Sequence, residues 1–313
     1  MRCAERRGEP ERLAARREAQ QGTAGSGKNL RTTTTFLTPA KGRKVPDQDS
    51  MPPLHELGFQ YQPISGLQEH EPYWAEALVR WNLPDGTVRG PLDILPHWLS
   101  EHRQDLFTRF SIERVAAALA VHKAAHVSVN LSPAQVTHPQ TLASLEGLLP
   151  EVRRRMRVEL TEQSYQDSRR LWNSLAALRQ RCGALLLDDV TEHDADDRIP
   201  AADLVDGVKV DRSVTQGLAD PSRRRGIERF VRSLSARFQV VVMEGVEDPA
   251  ICDGLHELGA THVQGFGVGQ PRPELVQGLH EQRLPEVEAA AARAVRLRHG
   301  KLMLGDGDSE LHL

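Results

Sequence analysis

Six short apolar runs between about residues 57 and 282 each end in polar or charged side chains, and this pattern limits the fold more than any other feature. The runs end at Asn130, Glu159, Asp188-Asp189, Lys209, Glu244 and Gln264. Helical patterns lie between them, as where Leu171, Leu175 and Leu178 recur at helical spacing. Alternating strands and helices indicate a parallel β/α fold. Because polar strand ends line the catalytic face of a (β/α)8 barrel, we predict an α/β, TIM-like barrel.

The chain divides by composition into three parts. Residues 1–55 are rich in Arg, Glu, Gln, Thr and Gly and lack a recurring apolar face, so we expect a disordered N-terminal extension. We assign the barrel domain to residues 56–282. Residues 283–313 begin with a run of Ala, Arg and Glu, for which we expect a surface helix followed by a flexible tail.

Charge and hydropathy argue against several classes of protein. A net charge of -3 gives no general attraction for nucleic acid, so we expect no DNA binding. Apolar runs such as 240–243 are far shorter than the ~20 residues that cross a bilayer, and the N-terminus lacks a signal-peptide core. We therefore expect a cytoplasmic protein. The three cysteines form no CxxC pair, which argues against a structural zinc site.

The polar strand ends, among which we also place Glu76, offer oxygen ligands and one cation, Lys209. Carboxylates without His or Cys suit hard cations such as Mg²⁺ or Mn²⁺. Clustered carboxylates also need cations to offset their mutual repulsion, so we expect two ions. Two ions coordinated by the adjacent Asp188 and Asp189 would activate water for in-line attack on a phosphodiester. Lys209 either orients that water, neutralises charge at phosphorus, or pairs with a neighbouring carboxylate.

Eight motifs in this chain resemble those of the EAL domains, which linearise the bacterial second messenger cyclic di-GMP. They begin with Tyr61-Gln62-Pro63-Ile64, Glu76-Ala77-Leu78-Val79-Arg80-Trp81, Val129-Asn130-Leu131-Ser132-Pro133 and Glu159-Leu160-Thr161-Glu162. They continue with Leu187-Asp188-Asp189, Val208-Lys209-Val210-Asp211-Arg212, Glu244-Gly245-Val246-Glu247 and Gln264-Gly265-Phe266 leading to Pro271. The motifs follow the family's order over about residues 57–275, so the resemblance is far more specific than any single pattern.

The resemblance implies a role for each matching residue. The metal ligands would be Glu76, Asn130, Glu159, Asp188, Asp189 and Glu244. Lys209 and Gln264 would position the attacking water, and Glu162 would anchor the loop after Asp189. Gln62, Leu78 and Arg80 would contact cyclic di-GMP. The resemblance further implies a barrel whose first strand is antiparallel, a homodimer, and hydrolysis of cyclic di-GMP to the linear dinucleotide pGpG in signal transduction.

The chain departs from the family pattern after Asp189. The family has Phe-Gly and a Gly/Ser-rich loop there, whereas this chain continues from Val190 to Asp197 without glycine and with several acids. Two hypotheses therefore stand: a metal-dependent phosphodiesterase, and a receptor of low or no activity that binds cyclic di-GMP or a regulatory protein partner. A different metal-dependent barrel hydrolase is a third, weaker interpretation.

Overall fold

The computed structural model describes residues 51–68, 73–100, 102–163, 165–192 and 203–275, together with the backbone of residues 295–298 and 301–304. These residues all belong to one compact unit, Lys41–Leu313. The first fifty residues of the predicted extension lie outside the described residues. Pro52 is described, and its carbonyl accepts a 2.9 Å hydrogen bond from the indole of Trp98.

Eleven strands occur among the described residues. They are β1 (Leu57–Gly66), β2 (Trp74–Asn82), β3 (Val88–Arg89), β4 (His126–Leu131), β5 (Met156–Leu160), β6 (Ala184–Val190), β7 (Gly207–Val210), β8 (Val240–Met243), β9 (His262–Gln264), β10 (Val295–Arg298) and β11 (Lys301–Leu304). The described helices are α1 (Leu95–Trp98), α2 (Gln104–Val121), α3 (Pro133–Val136), α4 (Pro139–Glu146), α5 (Pro150–Arg153), α6 (Ser168–Arg179), α7 (Arg212–Gly217), α8 (Pro221–Ser235) and α9 (Cys252–Glu257).

Eight of the described strands close into a barrel, which confirms the predicted fold. Neighbouring strands follow the order β1-β9-β8-β7-β6-β5-β4-β2, and β1 pairs again with β2. All pairs from β2 through β9 in this ring are parallel. The predicted reversal of the first strand is also confirmed, because β1 runs antiparallel to both β2 and β9.

Local sequence signals explain where the long helices begin. The side chain of Asp167 accepts a hydrogen bond from the Arg170 amide at the start of α6. Asp220 likewise caps α8, which has a proline in its first turn. The apolar residues predicted to lie on one face of α6 are buried, since Leu171, Leu175 and Leu178 pack into the main core. None of the described helices is both long enough and apolar enough to span a membrane.

Alternation along the strands separates two apolar regions. In β6, Leu185 and Leu187 belong to the large core shared with the helices, whereas Leu186 clusters with Ile64, Trp74 and Val242. Since successive strand residues point to opposite faces, this second cluster lies inside the barrel. Asp188 is two residues beyond Leu186 and therefore points to the same interior. The barrel thus holds apolar side chains directly below its polar end.

The segment predicted as a C-terminal helix and tail is described at only two places. There β10 and β11 pair with each other as an antiparallel hairpin, in which Arg298 lies opposite Lys301. The rest of that segment lies outside the described residues.

Candidate active site

Lys209 lies at the centre of the predicted carboxylate cluster. It is the third residue of β7, and its side chain is only 1% exposed. Its Nζ lies 3.2 Å from Glu76 Oε2, 3.0 Å from Glu159 Oε2, 3.0 Å from Asp188 Oδ1 and 2.5 Å from Glu244 Oε1. Lys209 therefore forms the predicted ion pair with four neighbouring carboxylates.

The four carboxylates determine the charge state of Lys209. Burial by itself lowers the pKa of the ammonium, because it removes the charge from water. The surrounding carboxylates outweigh this effect and raise the pKa of Lys209 well above its ordinary value. Lys209 is therefore a fixed cation within the acidic cluster.

Glu76 lies inside β2, so its predicted place at a strand end was wrong. The strand continues to Asn82 because its second half pairs with β1 and β3. Glu76 Oε1 accepts a 2.6 Å hydrogen bond from Asn130 Nδ2, and Oε2 accepts one of 2.8 Å from Gln264 Nε2. Burial alone would raise the pKa of Glu76, but Lys209 and these amide donors hold it below its usual value. Glu76 is thus a carboxylate that three elements of the barrel orient.

The other buried acids are held at higher pKa values. Burial raises the pKa of Glu159 well above its ordinary range, despite the opposing charge of Lys209, and the nearby Glu76 and Asp188 add to the rise. Burial likewise raises the pKa of Glu244 to about 7. Glu159 and Glu244 therefore lose their protons less readily than acids in water do. Clusters of acids with raised pKa values are common in metal and catalytic sites.

Asp188 and Asp189 lie where β6 departs from regular strand geometry. The pairing of β6 with β7 shifts register between Leu187 and Val190. Asp189 has a φ of 56°, which is a left-handed conformation that costs about 1–3 kcal/mol for residues other than glycine. This local shift allows both adjacent aspartates to serve one site. Burial and the charge of Asp188 raise the pKa of Asp189 to about 6.

The donor atoms fit a hard divalent cation. Carboxylate oxygens of Asp188, Asp189 and Glu244 all lie within 4.8 Å of one another. Asn130 Oδ1 and Gln264 Oε1 are buried and accept no hydrogen bond from any described residue. Oxygen donors in this number suit Mg²⁺ or Mn²⁺ better than zinc or copper. The residues present are therefore consistent with the predicted metal site.

A cavity of about 340 Å³ opens over this cluster. It is lined by Gln62, Glu76, Asp188, Asp189, Lys209, Arg212, Gln216, Glu244, Gly245, Glu247, Gln264, Gly265 and Phe266. Its volume lies in the ordinary range of small-molecule sites. Most of the predicted site residues thus share one cavity at the carboxyl ends of the strands.

Arg212, Glu247 and Phe266 are among the residues that line this cavity and had no predicted role. Each follows a predicted site residue by two or three positions within the same motif. Loops that follow barrel strands form the catalytic face. The location of these residues directly after predicted site residues could therefore have identified them. Phe266 is 68% exposed, which is unusual for a large aromatic side chain.

Gly245 directs Glu244 into the site. Its φ of 70° is a conformation that other residues rarely adopt. A Cβ at this position would lie 2.4 Å from the Cβ of Arg212. Glycine therefore allows the chain to turn sharply after β8 while it passes close to the start of α7.

The remaining predicted residues occupy different surroundings. Gln62 lies opposite Glu76 in the antiparallel register of β1 and β2, and its Oε1 accepts a 3.3 Å hydrogen bond from Gln264. Leu78 and Arg80 do not line the described cavity, and Arg80 Nε donates to Gln60 at 2.8 Å. Glu162 is exposed, and its predicted anchoring of the loop stays a prediction.

Comparison with known proteins identifies the family. The EAL domain matches residues 51–271. An uncharacterized signaling protein of Caulobacter vibrioides is 28% identical over 228 residues, which cover 70% of this chain and 28% of that protein. The cyclic di-GMP phosphodiesterase NbdA of Pseudomonas aeruginosa is 26% identical over 246 residues, covering 70% of this chain and 29% of that one. The chain therefore spans less than a third of the length of these two relatives.

Solved structures show the same fold. The PaMucR phosphodiesterase in complex with c-di-GMP is 23% identical, with a TM-score of 0.59, and the match covers 70% of this chain and 93% of that one. The FimX EAL domain from Pseudomonas aeruginosa bound to c-di-GMP is 19% identical, with a TM-score of 0.57 over 71% of this chain and 93% of that one. Family match and fold agree, and the chain belongs to the EAL domain family.

Proposed function

We propose that this chain hydrolyses cyclic di-GMP to linear pGpG with two bound Mg²⁺ or Mn²⁺ ions. The observation that carries the proposal is the buried Lys209 surrounded by four carboxylates at the base of an open cavity, in a chain of the EAL family. NbdA is named for this activity, and PaMucR carries c-di-GMP in its structure. Metal-assisted cleavage of a phosphodiester uses divalent cations, for which the oxygen donors are suited, and a neighbouring fixed positive charge, which Lys209 supplies.

The metal ligands in this proposal are those that the resemblance implied. They are Glu76, Asn130, Glu159, Asp188, Asp189 and Glu244. When bound, Mg²⁺ or Mn²⁺ would supply Lewis-acid stabilisation of charge at phosphorus and lower the pKa of a coordinated water. The protein contributes carboxylates that are already oriented by Lys209 and by neighbouring amides.

Lys209 and Gln264 have complementary roles. The ammonium of Lys209 stays charged beside the carboxylates and offsets negative charge that develops on the phosphoryl oxygens. Gln264 Nε2 donates to Glu76, whereas its buried Oε1 has no hydrogen-bond donor among the described residues. That oxygen is available to accept a hydrogen bond from the attacking water and to orient it.

The rim of the cavity suits an anionic dinucleotide. Arg212 is an exposed cation of this cavity, whereas Lys209, which also lines the cavity, is buried among the carboxylates. A guanidinium matches the oxygens of a phosphate with paired hydrogen bonds. The exposed ring of Phe266 offers a surface on which a guanine base can stack. The contacts that the resemblance implied complete the proposal, with Gln62 inside this cavity and Leu78 and Arg80 outside its lining.

The test is turnover of cyclic di-GMP by the purified chain with Mg²⁺ or Mn²⁺, followed by chromatography of pGpG. Ca²⁺ and a chelator serve as controls for the metal. Glu76→Gln keeps the shape of a residue inside β2 and removes one charged ligand, so we expect turnover to fall by at least about 100-fold. Glu113→Gln, on the exposed face of α2, is the matched control and should retain full activity.

Each outcome of this test separates the two hypotheses. Metal-dependent pGpG that is lost in Glu76→Gln supports the phosphodiesterase. Saturable binding of cyclic di-GMP without product identifies the receptor instead, and product that persists in Glu76→Gln contradicts the assigned metal site. The homodimer implied by the resemblance is also a proposal, and sedimentation velocity with and without cyclic di-GMP tests it.

A further inference from the structure

The strand β6 ends at Val190, and an ion pair restrains the chain just beyond it. Val190 is still part of the sheet, because its carbonyl accepts a 3.1 Å hydrogen bond from the Asp211 amide. Two residues later the Glu192 carboxylate pairs with a terminal nitrogen of Arg223. The side chains are 11% and 34% exposed, respectively, so this pair is more shielded from water than an ordinary surface pair.

Arg223 is itself held in place by the fold. It lies in the first turn of α8, which is fixed to the barrel by the buried side chains of Ile227, Val231 and Leu234. A Cβ at Gly217 would lie 2.8 Å from Cζ of Arg223, so the guanidinium passes directly over the end of α7. Arg223 therefore presents its charge to Glu192 from a defined position.

The geometry of Asp189 explains why such a restraint matters. Asp189 has a positive φ, and its carboxylate belongs to the group formed with Asp188 and Glu244. An unfavourable backbone conformation persists only where the surrounding structure enforces it. The β6–β7 pairing restrains the chain through Val190, and the Glu192–Arg223 pair restrains it on the loop side.

We propose that Glu192 and Arg223 are positioning residues that hold the carboxylate of Asp189 in the metal-binding group. The inference rests on the proposed function for its metal site, but it concerns residues to which the EAL resemblance gave no role. Glu162, which the resemblance named as the loop anchor, is exposed, whereas the side chain of Glu192 is only 11% exposed. In this chain the acidic loop supplies its own anchor through Glu192.

The test measures Mn²⁺ binding in the absence of cyclic di-GMP, with free Mn²⁺ followed by its electron paramagnetic resonance signal. We expect Glu192→Gln and Arg223→Gln to weaken Mn²⁺ binding by about 10-fold, because loss of an outer partner typically weakens metal sites by 10–100-fold. Hydrogen exchange of the amides in residues 189–192 should accelerate in both variants. The charge-reversed double variant Glu192→Arg, Arg223→Glu should recover part of the affinity, which a general loss of stability would not allow.

A neighbouring ion pair supplies the matched control. Arg224 and Glu228 lie on the same helix at a spacing of one turn, and both are more exposed than their counterparts in the Glu192–Arg223 pair. Glu228→Gln should leave Mn²⁺ binding and exchange of residues 189–192 unchanged. Equal Mn²⁺ affinity in Glu192→Gln and the wild type overturns the inference, as does a wild type that binds no Mn²⁺.

The inference and the proposed function can fail separately. Weaker Mn²⁺ binding in Glu192→Gln, without hydrolysis of cyclic di-GMP by the wild type, supports the positioning role and contradicts the phosphodiesterase. Hydrolysis that is identical in wild type and Glu192→Gln at limiting Mn²⁺ supports the phosphodiesterase and overturns the positioning role.

Discussion

Lys209 and Glu76 are 133 positions apart in the chain, yet the ammonium and a carboxylate oxygen lie 3.2 Å apart inside the barrel. Glu76 is in turn hydrogen-bonded to Asn130 and Gln264. This contact joins β2, which carries Glu76, to β7, which carries Lys209. It also places a permanent positive charge among acids that would otherwise repel one another.

Replacement of Lys209 by Met should destabilise the protein. The change keeps most of the buried volume but leaves the carboxylates without their cation, so we expect the free energy of unfolding to fall by about 3–5 kcal/mol. Urea unfolding followed by tryptophan fluorescence measures the change. Lys123→Met, in the exposed turn after α2, is the control and should change stability by less than about 0.5 kcal/mol. Equal stability of Lys209→Met and wild type would show that the acids are neutral without Lys209.

Arg212→Gln tests the proposed substrate contact at the rim. Because a charged hydrogen bond to phosphate contributes about 1.5 kcal/mol or more, we expect KM for cyclic di-GMP to rise about 10-fold with kcat nearly unchanged. Steady-state kinetics at saturating metal measures both constants. Arg225→Gln, on the exposed face of α8, should behave as wild type. A fall in kcat with constant KM would assign Arg212 to the chemical step instead.

Gly245→Ala should disturb the placement of Glu244. Alanine would have to adopt the positive φ of Gly245, and its Cβ would lie 2.4 Å from Arg212 Cβ. We therefore expect the free energy of unfolding to fall by about 2 kcal/mol and Mn²⁺ to bind more weakly. Gly226→Ala is the matched control, because nothing lies within 4 Å of its Cβ. That helix substitution should stabilise the protein by about 0.5–1 kcal/mol. Unaltered Mn²⁺ affinity in Gly245→Ala would contradict the role of this turn.

His262 should make the stability of the protein depend on pH. Burial, with a smaller contribution from Arg157, lowers the pKa of its imidazole to about 4. The unfolded chain therefore binds a proton at a higher pH than the folded one. The free energy of unfolding is therefore highest above about pH 6.5 and falls as the pH is lowered towards 4, by roughly 2.5 kcal/mol at pH 4.5.

His262→Phe removes the titrating group and keeps a ring beside Trp74, whose ring centre lies 5.2 Å from that of His262. The free energy of unfolding should then depend less steeply on pH between 6.5 and 4.5 than in the wild type. The exposed His256→Gln is the control and should leave the slope unchanged. An identical slope in His262→Phe and wild type would show that other groups cause the acid sensitivity.

The sequence identified the barrel and most of its polar face for a local reason. Strand alternation and a polar residue after each apolar run are properties of neighbouring positions, and they are preserved when the strands assemble. The same local pattern placed Glu76 at a strand end, and that prediction was wrong. The length of β2 depends on its pairing with β1 and β3, which are partners that no local pattern reveals.

By itself, then, the amino-acid sequence determined the fold class, the reversed first strand through its family resemblance, and the residue types available for chemistry. Tertiary structure alone decided that Lys209 contacts four acids, that Arg212 and Phe266 line the cavity, and that Glu192 pairs with Arg223. Those contacts join distant segments. They depend on the closure of the barrel, because only closure brings the ends of separate strands within a few ångströms of one another.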